Sequence, residues 1–318
     1  MNKKIEVISP SINIDKKFKL LCSNIYKKQK DIYISYDDNN NRILDIRMLM
    51  KLLVENLKPL INQKYVRNKK YEEIDFIDGI IDIIDNCTYW TRYKGHIDGG
   101  YLNKKHLQYC KWGIYDCLYN IILKFYYENN KFEKIKYQSI DTTFVRNLYG
   151  SEMKGMNVQY KSKNGLKVSY ITDKIGVPIS IAMAGGNEHD CKIAKQQINE
   201  FLIDPETNRV KNNNRYKQTM FADAIYYETE FKTILLKKGY KSIIDVNQKN
   251  TKDEIKLKKQ KKDKKEYLKN AKKRSVVEHL NAWHHKYPKL NRVIEKTIKS
   301  YKGLLLLGCS LIVKNKIS

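Results

Sequence analysis

The sequence predicts an α/β protein in two parts: a mixed-sheet domain over residues 133–318, preceded by an all-helical domain over residues 42–132. Three observations carry that prediction. Before Lys136 the apolar residues recur at helical spacing, whereas after it they fall in short strand-like runs. Those runs read βββαβαβ and lead into a long helix, an order that builds a mixed sheet with helices on both faces. At 318 residues the chain is also long enough to bury two cores.

Residues 1–41 read as polar and irregular, with Asp37–Asn41 as a loop and the ordered core beginning after it. From Arg42 to Leu60 the residues Leu44, Met48, Leu52 and Leu53 mark a helix that Pro59 ends. A second helix spans Glu72–Asn86, its buried face made of Phe76, Ile77, Ile80, Ile81 and Ile84. After Cys87-Thr88-Tyr89-Trp90 and a loop from Gly95 to Gly100, a helical pair covers Asn103–Trp112 and Ile114–Tyr127. This half suggests DNA recognition, with Lys104, Lys105, Gln108 and Lys111 as a reading surface; a solvated charged face is the plainer alternative.

In the second half Tyr137–Val145 reads as a strand with Asp141 at its centre. Leu166–Thr172 and Val177–Met183 are further strands joined by the turn Asp173-Lys174-Ile175-Gly176, completing a three-stranded meander. Asp190 is an N-cap candidate for a helix reaching Leu202. A loop rich in asparagine (Asn208, Asn212, Asn213, Asn214) leads to the strand Gln218–Asp223, then a helix from Glu228 to Lys238 and a strand Lys241–Val246. This is the element order of the ribonuclease-H-like fold. Residues 249–273 hold twelve lysines against four acidic residues and read as a solvated, partly helical connector or a phosphate-contacting arm. The next helix, Arg274–His285, places Val276, Leu280, Trp283 and Tyr287 on an apolar stripe, with Arg274, Glu278, Asn281 and His285 opposite. Leu290–Val313 closes the chain as a mostly buried helical segment.

The balance of 62 Lys+Arg against 35 Asp+Glu, a formal net charge of +27, attracts a polyanion, and double-stranded DNA is the expected one. A membrane surface is the rival, but the amino terminus shows no signal-peptide apolar region and Leu304–Val313 is too short to span a bilayer. A soluble intracellular protein is expected. The six cysteines are scattered without a CxxC pair and read as reduced core thiols.

Three carboxylates carry the chemistry. Breaking a phosphodiester in line is eased by two divalent ions roughly 4 Å apart that stabilise the attacking and leaving oxygens. Hard oxygen ligands suit Mg²⁺, with Mn²⁺ as an alternative. In the inferred fold the first and fourth strands are parallel neighbours, so Asp141 lies beside Asp223, and the crossing helix brings Glu278 to the same point. Taken alone, an aspartate in a strand is more often a turn or edge residue. Burying carboxylates after Ile140 and after Met220-Phe221-Ala222 is nevertheless costly unless a cation or donor compensates.

The segments Ile140-Asp141-Thr142-Thr143-Phe144-Val145, Gly165-Leu166-Lys167-Val168 through Asp173–Ser180, Gly186-Asn187-Glu188-His189-Asp190, Phe221-Ala222-Asp223-Ala224-Ile225-Tyr226-Tyr227 and Arg274-Ser275-Val276-Val277-Glu278 follow one another in order. Together they resemble the DDE transposases of bacterial insertion sequences, in the short branch related to Harbinger elements. The stretch from Phe76 to Trp112, with Trp90, is similar to that branch's amino-terminal domain. The resemblance implies that Asp141, Asp223 and Glu278 bind two Mg²⁺, and that the enzyme cleaves and joins DNA at an element's terminal inverted repeats as a homo-oligomer. Arg274, Asn281, His285 and Lys286 would then face the DNA. Where relatives carry a tyrosine three residues before the arginine and a lysine seven after the glutamate, this chain has Ala271 and His285, with Lys286 one step on. A DNA-binding protein that keeps the fold without catalysis is the alternative function; the intact carboxylates favour the enzyme.

Overall fold

The computed structural model describes residues 5–8, 22, 24–27, 29–36, 42–57, 70–86, 89–129, 136–200, 218–247 and 254–317. The expected loops at Asp37–Asn41 and Asn208–Asn214, the helix stop at Pro59, Cys87-Thr88, the end of the helix at Leu202, and Lys249 and Lys252 of the lysine run lie outside them. Among the described residues the strands are β1 (Ile5–Ile8), β2 (Ile34–Tyr36), β3 (Arg42–Leu44), β4 (Tyr137–Asn147), β5 (Gly155–Asn157), β6 (Lys163–Thr172), β7 (Pro178–Gly185), β8 (Gln218–Ala222), β9 (Tyr240–Ile244) and β10 (Arg292–Val293). The longer helices are α1 (Ile46–Leu57), α2 (Glu73–Asn86), α3 (Gly99–Trp112), α4 (Ile114–Asn129), α5 (Asp190–Glu200), α6 (Thr229–Lys237), α7 (Glu254–Lys286) and α8 (Ile298–Ile317). They fall into two units, the first made of Met1–Ile12, Asn130–Phe144 and Met153–Ala282, the second of Asn13–Asn129, Val145–Glu152 and Trp283–Ser318. This division differs from contiguous domains at 42–132 and 133–318, because the carboxy-terminal helix α8 groups with α1–α4.

The first unit holds a mixed sheet in the order β1-β7-β6-β4-β8-β9, with helices, an α/β architecture consistent with the ribonuclease-H-like expectation. β6 pairs antiparallel with β7, whereas β4, β8 and β9 run parallel. The turn between β6 and β7 is built by Asp173, whose Oδ1 accepts from the amides of Ile175 and Val177 at 3.0 Å each, and by Gly176 at φ +87°. From Gly165 to Thr172 and throughout β7 every residue is buried, so small polar residues sit in the core and need partners. Gln197 of α5 provides them, accepting from Ser169 Oγ at 2.8 Å and donating to Ser180 Oγ at 3.1 Å.

Two expectations change here. Residues 1–41 are not irregular throughout: Ile5–Ile8 pair antiparallel with β7, and Ile5 and Val7 close a core cluster with Ala182, Ala184 and Ile193. The apolar–polar alternation of Ile5-Glu6-Val7 is too short a signal to stand out without its partner strand. The lysine run is likewise no mere connector, because from Glu254 onward it is continuous with the Arg274 helix as α7. Tyr267 is 7% exposed and packs on Phe221 and Ile243, with Ala271 against the same cluster. Asp263 accepts from Tyr227 Oη at 2.8 Å, Lys264 pairs with Asp245 at 2.5 Å and Lys241 with Glu266 at 2.5 Å. Spacings of four residues put Asp263, Tyr267 and Ala271 on one face, which is how so charged a helix docks.

In the second unit α1, α2, α3, α4 and α8 pack together, and Leu304–Leu307, Cys309, Ile312 and Val313 of α8 are all buried. Arg42–Leu44 forms a strand with β2 instead of the expected helix start, because Asp45 accepts from the amides of Arg47 and Met48 and so caps α1 at Ile46. α3 begins at Gly99, earlier than expected, capped by Asp98, and stops at Gly113 with φ 71°. The segment expected to be helical from Leu290 opens instead with β10, which pairs in parallel with Arg146 and Asn147, before α8 starts at Ile298. A buried polar network lies within this unit: Glu295 pairs with Lys289 at 2.9 Å and accepts from Trp90 Nε1 at 3.1 Å and Ser300 Oγ at 2.8 Å. Lys105, expected on a reading surface with Lys104 and Lys111, has a different environment from theirs. It is half-buried, pairs with Glu73 at 2.7 Å and lies over the rings of Phe76 and Tyr109, while Lys104 and Lys111 are exposed. No helix among the described residues is long and apolar enough to cross a membrane.

If Tyr267 docks the lysine-rich part of α7, Tyr267→Ala should cost about 3 kcal/mol and Tyr267→Phe about 1 kcal/mol in denaturant-monitored unfolding. A loss below about 0.5 kcal/mol for the alanine variant would return residues 254–273 to the status of a solvated connector.

Candidate active site

The register of two parallel strands builds the site. Ser139 of β4 stands opposite Phe221 of β8. Two residues further on come Asp141, within β4, and Asp223, one residue past the end of β8 and still extended, so period-two alternation places both carboxylates on the face shared by Ser139 and Phe221. That face is the one α7 covers: Ser139 Oγ donates to the Lys273 carbonyl at 3.1 Å, Lys273 Nζ lies 4.4 Å from the Tyr137 ring centroid, and Tyr267 packs on Phe221. Past the end of β8, Asp223 accepts from the Ile225 amide at 3.0 Å and caps a short 3₁₀ turn, Ala224–Tyr226. Tyr226 Oη shares a hydrogen bond of 2.9 Å with Thr142 Oγ1, tying that turn back to β4 beside Asp141.

Helix α7 delivers the remaining groups. Arg274 donates from Nε to Tyr267 Oη at 2.9 Å and from Nη2 to Glu278 Oε1 one turn on. Asn281 Nδ2 donates to Asp141 Oδ2 at 2.9 Å, while the Thr142 amide donates to Asp141 Oδ1 at 2.9 Å. The amide oxygen of Asn281, Oδ1, is buried without a hydrogen-bond partner among the described residues.

The electrostatics show the carboxylates acting on one another. Burial is the largest cause raising the Asp141 carboxyl, to about 6; the Thr142 amide and Arg274 oppose the shift, and the charges of Asp223 and Glu278 add to it. Asp223 is also raised, first by burial, against the Ile225 amide and Arg274, with Asp190 and Asp245 adding to the shift. Asp190 is in turn paired with the buried Lys167 at 2.7 Å.

Of the residues singled out in the sequence, Asp141, Asp223, Glu278, Arg274 and Asn281 fall within the first unit and are linked by these bonds and charge interactions. His285 and Lys286 belong to the second unit, where His285 Nδ1 bonds Asn291 Oδ1 at 2.9 Å and Lys286 Nζ lies 4.7 Å from the Trp283 ring centroid. The expected apolar stripe holds at Leu280 and Tyr287, both buried, and shifts by one residue at its other two positions. Val277, Leu280 and His284 are buried, Val276 is partly exposed and Trp283 is 38% exposed. Sequence reasoning missed Tyr267, which reaches Arg274 from two turns upstream, and Thr142, Tyr226 and Asp190. The spacing Tyr267–Arg274 (i, i+7) is a helical signal that the search for a tyrosine at position 271 overlooked.

Among the described residues no group of three or more His, Cys, Asp and Glu side chains stands ready to hold a metal ion. Glu278 is turned to Arg274, and both oxygens of Asp141 accept from N–H donors. The donor chemistry nonetheless fits a divalent cation: Asp141 is a carboxyl raised first by burial, with the charges of Asp223 and Glu278 adding to the shift, and hard carboxylate oxygens suit such an ion.

A carboxyl raised in the folded state binds its proton more tightly there, so its contribution to stability is full below the unfolded value and is lost as pH rises through about 6. In chelating buffer Asp141→Asn should therefore be more stable than the parent at pH 7.5, by about 2 kcal/mol, with the difference vanishing near pH 4. A pH-independent difference would show that Asp141 ionises normally.

Residues 135–312 match the family described as Transposase DDE domain. No curated protein and no solved structure matches the chain. The matched region covers more than half of the chain, including all three carboxylates and α7, and this chain belongs to the DDE transposase family.

Proposed function

We propose that the protein is a DNA transposase that cleaves and rejoins phosphodiester bonds at the terminal inverted repeats of a mobile element, acting as a homo-oligomer on double-stranded DNA. The observation that carries this reading is the register that sets Asp141 beside Asp223 on the face of the sheet covered by the helix that bears Glu278. In this reading Asp141, Asp223 and Glu278 hold Mg²⁺ or Mn²⁺, which when bound supplies Lewis-acid stabilisation of the attacking and leaving oxygens.

The chain's own groups do the rest. Arg274, held by Tyr267, keeps Glu278 in place and offers a guanidinium to a phosphate oxygen, a fork that lysine cannot reproduce. The Thr142–Tyr226 bond ties the middle of β4, which carries Asp141, to the 3₁₀ turn that follows Asp223. The exposed lysines of α7, among them Lys258, Lys261, Lys262, Lys265 and Lys269, track phosphates. Lys104 and Lys286 are exposed and remain in the DNA-contacting set, with His285 beside Lys286. Lys105, committed to Glu73, is left out of it.

Asp141→Asn, Asp223→Asn and Glu278→Gln should each lower single-turnover cleavage of a labelled repeat-end duplex in Mg²⁺ by about a thousandfold or more. Duplex affinity in chelator should stay within about twofold, because lysines supply most of it. Near-parental cleavage by any one variant removes that residue from the catalytic set. Retained repeat binding with no cleavage by the parent would favour the catalytically inactive DNA-binding protein.

Replacing Lys258, Lys261, Lys262, Lys265 and Lys269 together by glutamine leaves Tyr267, Asp263 and Lys264 in place, so α7 should stay docked. The slope of log K against log salt should then flatten by about 2 to 4. An unchanged slope would mean that this face of α7 does not meet DNA.

A further inference from the structure

We propose that Asn281 is a positioning residue for Asp141: its amide donor fixes the carboxylate plane so that Asp141 meets the divalent cation in one orientation. This deepens the reading of the site given above and rests on Asp141 being a cation ligand.

Asp141 has two oxygens, and each accepts from a donor that a different element holds. The Thr142 amide, part of β4 itself, donates to Oδ1 at 2.9 Å, and Asn281 Nδ2 of α7 donates to Oδ2 at 2.9 Å. Two bonds to opposite ends of a planar group remove its rotation about χ2. Each carboxylate oxygen still has a second lone pair, so the clamp leaves room for a cation. Ligating carboxylates are commonly oriented by such outer hydrogen bonds.

The assignment of the amide nitrogen to Asp141 follows from chemistry. An ionised carboxylate only accepts, so the NH₂ end of Asn281 must face it. The consequence is that Asn281 Oδ1 is buried with no partner among the described residues, an arrangement that ordinarily costs about 1–3 kcal/mol. A side chain kept at that expense is there for its donor end. Asn281 also lies three residues after Glu278, on the same side of α7, so one helix seats a carboxylate and the group that orients another. Asp141 takes one of the two hydrogens on Asn281 Nδ2, so a DNA-contacting role, which the sequence pattern first suggests for Asn281, would have to share that nitrogen with the carboxylate.

The test uses the full-length protein and Mn²⁺ alone as the probe, with binding followed by the electron spin resonance of free Mn²⁺. Asn281→Ala should weaken Mn²⁺ binding by about 10- to 100-fold. Asn281→His, whose Nδ1–H stands as many bonds from Cβ as the asparagine Nδ2, should recover binding to within about fivefold of the parent. Duplex affinity in chelator should change less than about twofold in both. Parental Mn²⁺ binding in Asn281→Ala overturns the inference. An equal loss in the histidine variant does the same, since side-chain shape and not the donor would then matter. A tenfold loss of duplex affinity with Mn²⁺ binding intact would make Asn281 a DNA contact instead. If the parent binds no Mn²⁺ at all, the metal reading and this inference fall together. If Asp141→Ala abolishes binding while Asn281→Ala matches the parent, only the inference falls.

Discussion

Two carboxylates carried in register on adjacent parallel strands repel each other, and the first unit is arranged around that repulsion. The pairing of Ser139 with Phe221 makes the juxtaposition of Asp141 and Asp223 unavoidable. Burial is the main reason that Asp141 holds its proton up to about 6, and the charge of Asp223 adds to it. Compensation comes first from the backbone amides of Thr142 and Ile225, and then from one helix. Helix α7 brings the Arg274 guanidinium, which opposes the shift at both aspartates, and the Asn281 amide, which bonds one of them directly.

Because part of this compensation depends on α7, the docking of that helix carries more weight than its composition suggests. Its amino-terminal half is lysine-rich, yet Tyr267 sits in the apolar cluster with Phe221 and Ile243 and also holds Arg274 through its hydroxyl. One side chain thus anchors the helix to the sheet and orients the guanidinium that faces the carboxylates. The ion pairs Lys264–Asp245 and Lys241–Glu266 lie along the same docked stretch but are more exposed, and such pairs contribute little individually. Packing of the tyrosine and alanine face decides the position; the charges refine it.

The second unit solves a different problem, the burial of charge in a helical core. Lys289 and Glu295 are 1% and 6% exposed, and a buried ion pair is tolerable only when its remaining hydrogen-bonding capacity is met. Trp90 and Ser300 meet it for Glu295, while Lys289 lies 4.6 Å from the Trp90 ring centroid. The network extends through Ser300 to His106 and Tyr115, which joins α3 and α4 to the start of α8. That shared network is one physical reason the carboxy-terminal helix groups with α1–α4 although most of the chain separates them in sequence.

Periodicity determined the α/β class and the strand-to-helix order of the first unit, since these follow from local alternation; the neighbouring of β4 and β8, and hence of the two aspartates, follows from the fold that this order matches. The turn at Asp173–Gly176 was legible for the same reason, as its chemistry is contained in four residues. Tertiary structure decided everything that needs a distant partner. Ile5–Ile8 is a strand only because β7 offers it an edge, and Arg42–Leu44 is a strand because β2 does. Val277 and His284, not Val276 and Trp283, face inward on α7, because a one-residue rotation is set by what the helix packs against and a heptad pattern tolerates either choice. Lys105 reads as surface charge until Glu73 and the rings of Phe76 and Tyr109 close around it. Asn281 and Tyr267 acquire their roles only where α7 meets β4 and β8, a contact between residues 140 and 46 positions apart that no local pattern encodes.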